Sequence, residues 1–194
     1  MAIAHKLNKY FTYEDYLAWE LKEGERFELI DGVPYAMASP NERHQSVSRR
    51  ILRKFFERIP EGDVCKVYHA PFDVRLKANK RNKKDDTVVQ PDIIVVCDPS
   101  KIDKNSIKGA PDMVIEILSP STVSYDVIAK FAKYREAGVK EIWYVDPEEG
   151  MVIVHILNDE GNYITRVFGK DDKIAVNTLE GFVVDLSEIF MAEV

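Results

Sequence analysis

The sequence of 194 residues predicts an α/β or α+β fold, a mixed β-sheet flanked by α-helices, read as one domain over residues 1–194. Three patterns predict it. "SPNERHQSVSRRILRKFFERI" carries an apolar stripe at helical spacing, Val47, Ile51, Phe55 and Ile59. "VVQPDIIVV" and "PDMVIEILSPST" are short apolar runs of the kind that fill the middle of a sheet. The tail, from "EIWYVDP" to "GFVVDL", alternates strand-like runs with Gly and Asp turns.

Each element has its own local signal. "TYEDYLAWE" predicts a short amphipathic helix capped by Thr12, with Asp15 three residues later. "RFELIDGVPYAM" predicts two strands turning at Asp31-Gly32. The long helix is expected to start with Ser39 as cap, Pro40 in the first position and Glu42 completing the box. Strands follow at about 64–76, 88–97 and 112–118, then a helix at about 123–137. The basic stretch "KANKRNKKDD" reads as a loop between strands, and there is no internal repeat.

A formal net charge of -6 and a pI of about 5.3 argue against a protein that coats polyanions with its whole surface. A local basic patch can still steer a nucleic acid. Cys65 and Cys97 sit in strand-like segments with neither CxxC nor zinc-type spacing, so reduced core thiols are expected. "MAIAHKLNKY" lacks the apolar core of a signal peptide, and no run approaches the roughly 18 apolar residues of a membrane helix. The expected location is the cytoplasm.

Glu116 is the residue that most needs explaining, because it interrupts the run Met113, Val114, Ile115, Ile117, Leu118. A carboxylate taken out of water needs a cation, a hydrogen-bond network or a proton. Asp92 repeats the oddity in "VVQPDIIVV". Two neighbouring central strands, each bringing one acid to the same end of a sheet, would form a like-charge pair that a divalent cation could hold together. The bland alternative is a pair of strand-end acids that reach solvent or cap backbone groups.

In the following helix, Val123, Val127, Phe131 and Tyr134 form an apolar face on which Lys130 also projects. Its ammonium can be aimed at the carboxylates, or it can snorkel to water and pair with Asp126. His44 lies in line with Val47, Ser48, Ile51 and Phe55, either as a hydrogen-bonded core residue or as a group that orients a phosphate or water. Glu28, in "RFELIDG", is an extra metal ligand or the outward side of an edge strand. Ser119, Ser121 and Thr122 follow a strand and precede a helix, where capping explains them better than nucleophilic chemistry does. The chain has no Walker A loop, no GxGxxG after a strand, no GxSxG elbow and no HExxH.

"ERFELIDG", "RHQSV", "QPDIIVV", "PDMVIEILSPST", "DVIAKFAKY" and "GVKEIWYVDP", in this order from Thr12 onward, resemble the Uma-two family of restriction endonuclease-like proteins in the PD-(D/E)XK nuclease superfamily. The resemblance implies a restriction-endonuclease-like core with a divalent metal between Asp92, as the motif aspartate, and Glu116, as the motif acid. One departure matters. The superfamily lysine normally lies two residues after the acid, where this chain has Leu118, and the resemblance implies that Lys130 of the next helix replaces it.

The expected activity is metal-dependent phosphodiester hydrolysis, with Asp92, Glu116, Lys130 and His44 as the catalytic set and Asp92, Glu116 and Glu28 as ligands of Mg2+, for which Mn2+ can substitute. The expected partner is a nucleic acid, DNA before RNA, with phosphate contacts from Lys77, Lys80, Arg81, Lys83 and Lys84 or from Arg49, Arg50, Arg53 and Lys54. A homodimer is expected by analogy with enzymes that cut both strands. The other reading is a catalytically degenerate nuclease-fold module that binds nucleic acid or a protein.

Overall fold

The structure, a computed structural model, describes residues 10–76, 85–119 and 126–191. Residues 77–84 of the basic loop expected at 77–86, and the region of Ser121 and Thr122, lie outside the described residues.

The chain opens with helix α1 (Tyr13–Leu17), and Thr12 and Asp15 form the expected capping box. Strands β1 (Phe27–Ile30) and β2 (Val33–Ala36) pair across Asp31-Gly32. Both turn residues have positive φ, 49° and 75°, as a two-residue primed turn requires, and a Cβ at Gly32 would run into the ring of Tyr10. Helix α2 (Glu42–Arg58) buries Val47, Ile51 and Phe55 as expected. Its cap differs from the expectation of Ser39. Asn41 accepts from the His44 backbone N–H at 2.9 Å, so Pro40 stands before the helix, and Glu42 accepts from the Ser46 hydroxyl.

Two of the expected strands are each divided between two sheets. The stretch at 64–76 becomes β3 (Lys66–His69) and β4 (Asp73–Arg75), parted at a cis Ala70-Pro71 bond. The stretch at 88–97 becomes β5 (Val88–Val89) and β6 (Ile93–Val96), parted at Gln90-Pro91-Asp92. Pro91 brings no N–H to a ladder, so the crossing falls where pairing would be weakest. The remaining strands are β7 (Ser106–Lys108), β8 (Met113–Ile117), β9 (Glu141–Asp146), β10 (Met151–Leu157), β11 (Tyr163–Gly169), β12 (Lys173–Ala175) and β13 (Val183–Asp185).

The main sheet has the order β11-β10-β9-β8-β6-β3, with β8 and β9 parallel and the other pairs antiparallel. A second sheet runs β2-β1-β5-β4-β7, and β12 and β13 form a two-stranded sheet. One face of the main sheet packs Ile93, Val95, Ile115, Trp143 and Val145 against Phe55 of α2 and the C-terminal segment. The other face packs Ile94, Val114, Ile142 and Tyr144 against the second sheet and helix α3 (Phe131–Ala137). α3 extends a π-type turn over Asp126–Lys130 and ends at Gly138, whose φ of 81° suits glycine.

Cys65 and Cys97 are joined in a disulfide, which corrects the expectation of reduced thiols. The register Lys66↔Val96 on β3 and β6 sets the two cysteines opposite one another, a relation that single-strand reading does not contain. Among the described residues no helix is long and apolar enough to cross a membrane.

Candidate active site

β6 and β8 are antiparallel neighbours with Ile93 opposite Ile115, so Asp92 and Glu116 come to the same end of the main sheet. On β8, Met113, Ile115 and Ile117 face the α2 side, which turns Glu116 towards α3 and β1. The carboxylate is 4% exposed. Its partner is now visible: Lys130 Nζ lies 2.7 Å from Glu116 Oε1 and 2.9 Å from Glu28 Oε1, with the lysine itself 2% exposed. Tyr134, one turn further along α3, donates to the same Glu116 oxygen at 2.5 Å. Burial first and the Glu116 charge second push the Tyr134 hydroxyl well above its ordinary range, which keeps it a donor.

Glu28 faces inward, 2% exposed, rather than outward from an edge strand, and its Oε1 also accepts the Gln90 backbone N–H at 2.7 Å. The Gln90 amide Nε2 in turn donates to Asp73 Oδ1 and to the Tyr16 hydroxyl, at 2.9 and 3.1 Å. Asp92 accepts the Ile117 N–H at 2.7 Å and faces His44 Nε2 at 3.2 Å, both through Oδ2. The Asn41 cap that holds the His44 backbone thus also fixes where this ring enters the site.

Glu28, His44, Gln90, Asp92, Glu116 and Lys130 line one open pocket of about 940 Å³, together with Arg26, Arg49, Arg53, Phe56 and Ser119. Four of the expected catalytic residues and Glu28 therefore meet in one place. Of the helix cations expected on α2, Arg49 and Arg53 line the pocket, whereas Arg50 donates to the carbonyls of Ile189 and Met191 and Lys54 pairs with Glu188. Sequence reasoning missed Tyr134 and Gln90 as site residues. A tyrosine in a buried helical stripe needs an acceptor for its hydroxyl, and that was the available signal for Tyr134.

A divalent cation can be tested against the groups present. Among the described residues no three His, Cys, Asp or Glu side chains form a ready metal cage. Asp92 and Glu116 supply hard oxygens, and Mg2+ is commonly held by only one or two carboxylates, completed by water and substrate phosphate. Three carboxylates, those of Glu28, Asp92 and Glu116, face the single Lys130 ammonium in the pocket, an excess of acidic groups that one divalent cation would offset. His44 Nδ1 and Gln90 Oε1 are buried without a partner among the described residues, so the pocket still has polar atoms to satisfy. The residues fit a two-carboxylate Mg2+ site.

Residues 13–187 match the family model Uma2, described as "Putative restriction endonuclease". The chain belongs to the Uma2 family. An uncharacterized protein of Synechocystis sp. is 27% identical over 175 residues, spanning 89% of this Uma2 chain and 88% of its own. A crystal structure from Anabaena variabilis, described as that of "a putative nuclease belonging to DUF820", is similar with a TM-score of 0.73 at 20% identity, covering 93% of this chain and 97% of that one. The mixed α/β architecture of this Uma2 chain is thus a nuclease-like fold.

Proposed function

We propose that this Uma2 protein is a Mg2+-dependent endonuclease that hydrolyses phosphodiester bonds, with DNA as the first substrate to test. The observation that supports it above others is the convergence of Asp92, Glu116 and Lys130 from three separate elements on one pocket. A cation held by Asp92 and Glu116 would supply Lewis acidity for the attacking water and the phosphate. Asp92 offers Oδ1 for that purpose, since its contacts among the described residues fall on Oδ2. Lys130 holds positive charge where the phosphate gains negative charge, and Glu28 and Gln90 keep its ammonium in place. Tyr134 fixes the orientation of the Glu116 carboxylate, and His44 stands beside Asp92 to orient a water or phosphate oxygen. A single chain working on duplex would pair as a homodimer to cut both strands.

Calorimetric titration of Mn2+ into the wild type, Asp92→Ala and Glu116→Ala tests the metal site without a substrate. Micromolar to millimolar binding by the wild type alone is expected, followed by Mg2+-dependent cleavage that both variants lose. One observation favours the second reading, a degenerate binding module: Lys130 is already shared by two carboxylates. Equal heats from all three proteins, with no cleavage of DNA or RNA, would move that reading ahead.

The proposed location is the cytoplasm, and cell fractionation tests it: recovery in the cytosolic fraction is expected, and recovery outside the inner membrane would argue for another compartment.

A further inference from the structure

We propose that the pocket takes a single-stranded nucleic-acid segment, with Phe56 of α2 as a platform for a base and Arg49, Arg53 and Arg26 as phosphate contacts; this rests on the nuclease reading and narrows its substrate. Size is the first argument. A pocket of about 940 Å³ would, as a sphere, be about 12 Å across, the width of a single B-DNA groove and so narrower than the whole duplex that contains that groove. Glu116 and Glu28, 4% and 2% exposed, form its floor, so a scissile phosphate must come down into the pocket. An unpaired backbone can do that, whereas a duplex brings its second strand with it.

The wall supplies the chemistry. The stripe Val47, Ile51, Phe55 and Ile59 of α2 is buried in the core, but Phe56 is 49% exposed and lines the pocket. Base stacking on an aromatic ring tolerates any sequence, because every base has a π-face. Arg49 and Arg53 lie seven and three residues before Phe56, on the same side of the helix, and line the same pocket. Arg49 and Arg26 have no side-chain partner among the described residues, and Arg53 has only the exposed Glu57 at 3.7 Å. Arg50 and Lys54 are tied to the C-terminal segment and do not line the pocket. An acidic floor beside a cationic, aromatic wall suits a strand whose backbone runs along the arginines and whose reacting phosphate reaches the carboxylates.

The test is fluorescence anisotropy of labelled 12-mers, single-stranded DNA, single-stranded RNA and DNA duplex of one sequence, in EDTA and then in Ca2+ to prevent cleavage. At least one single strand should bind at least about tenfold more tightly than the duplex. Phe56→Ala should weaken single-strand binding by about tenfold, within the range of one lost base stack. Arg49→Ala and Arg53→Ala should each lower the slope of log affinity against log salt by about 0.7. All three side chains are exposed, and urea unfolding of each variant would verify its fold. Duplex binding as tight as that of single strands, an unaffected Phe56→Ala, or no binding of any 12-mer overturns the proposal. Cleavage of duplex without single-strand preference would sink this inference and keep the nuclease, while single-strand binding without cleavage would do the reverse.

Discussion

Glu116 on β8 and Glu141 on β9 are carboxylates on neighbouring parallel strands, and both are buried. Glu141 is closed by neutral donors, one on each oxygen: the Trp143 indole N–H at 2.8 Å and the Thr178 backbone N–H at 2.7 Å. Glu116 instead shares an ammonium with Glu28, takes a tyrosine hydroxyl on the same oxygen, and lines a pocket. Neutral closure makes a carboxylate part of the scaffold. A charged partner and a route to solvent make it available to a ligand, at the cost of a site whose stability depends on all its members being present.

The most disruptive test of this contrast is Lys130→Met, which strands Glu28 and Glu116 without their cation. We expect a loss of about 3–5 kcal/mol in urea unfolding together with loss of cleavage, and partial recovery of stability, but not of cleavage, on adding Glu28→Gln. A fully stable single variant would show that the ion pair does not hold the site. Glu116→Gln should fold and lose about a thousandfold in cleavage rate, roughly 4 kcal/mol. Glu141→Gln should do the opposite. Its amide sets a donor against Trp143 or Thr178, costing about 1–3 kcal/mol of stability with cleavage unchanged; if both variants behaved alike, the division between scaffold and site would be wrong. Tyr134→Phe removes one bond to a charged oxygen and should cost about 1.5 kcal/mol, with a modest fall in rate.

The smallest effect concerns Asp73, a carboxylate closed like Glu141 by neutral donors, here Gln90 and Tyr16. Burial raises its carboxyl above the ordinary value, against the lowering effect of those bonds. The folded protein therefore holds this proton more tightly than the unfolded chain does. The resulting stabilisation is complete below the unfolded value of about 3.9 and is lost as pH rises through the folded value. Asp73→Asn should thus compare better with wild type at pH 7 than at pH 4 in urea midpoints, and a gap that does not change with pH would count against the raised carboxyl.

Local pattern made the acids of the pocket legible. An acid inside a strand-length apolar run must be buried, and two such runs can bring their acids to one sheet end, as Asp92 and Glu116 do. Helical spacing likewise put Lys130 on the apolar face with Tyr134. Glu141 follows Lys140 at the start of "KEIWYVD" and interrupts no apolar run, so local pattern gave no sign that it is buried.

What the sequence determined by itself is which side of its clearly periodic elements meets the core, because periodicity reports the direction in which successive side chains point. Only the tertiary structure decided the partners: Glu28 with Lys130 and Gln90, His44 with Asp92, Cys65 with Cys97, and the crossing of the chain between sheets at Pro71 and Pro91. Each of these joins elements far apart in the chain. Periodicity fixes the direction of a side chain but not the register or packing that brings another to meet it, and those depend on the whole core at once.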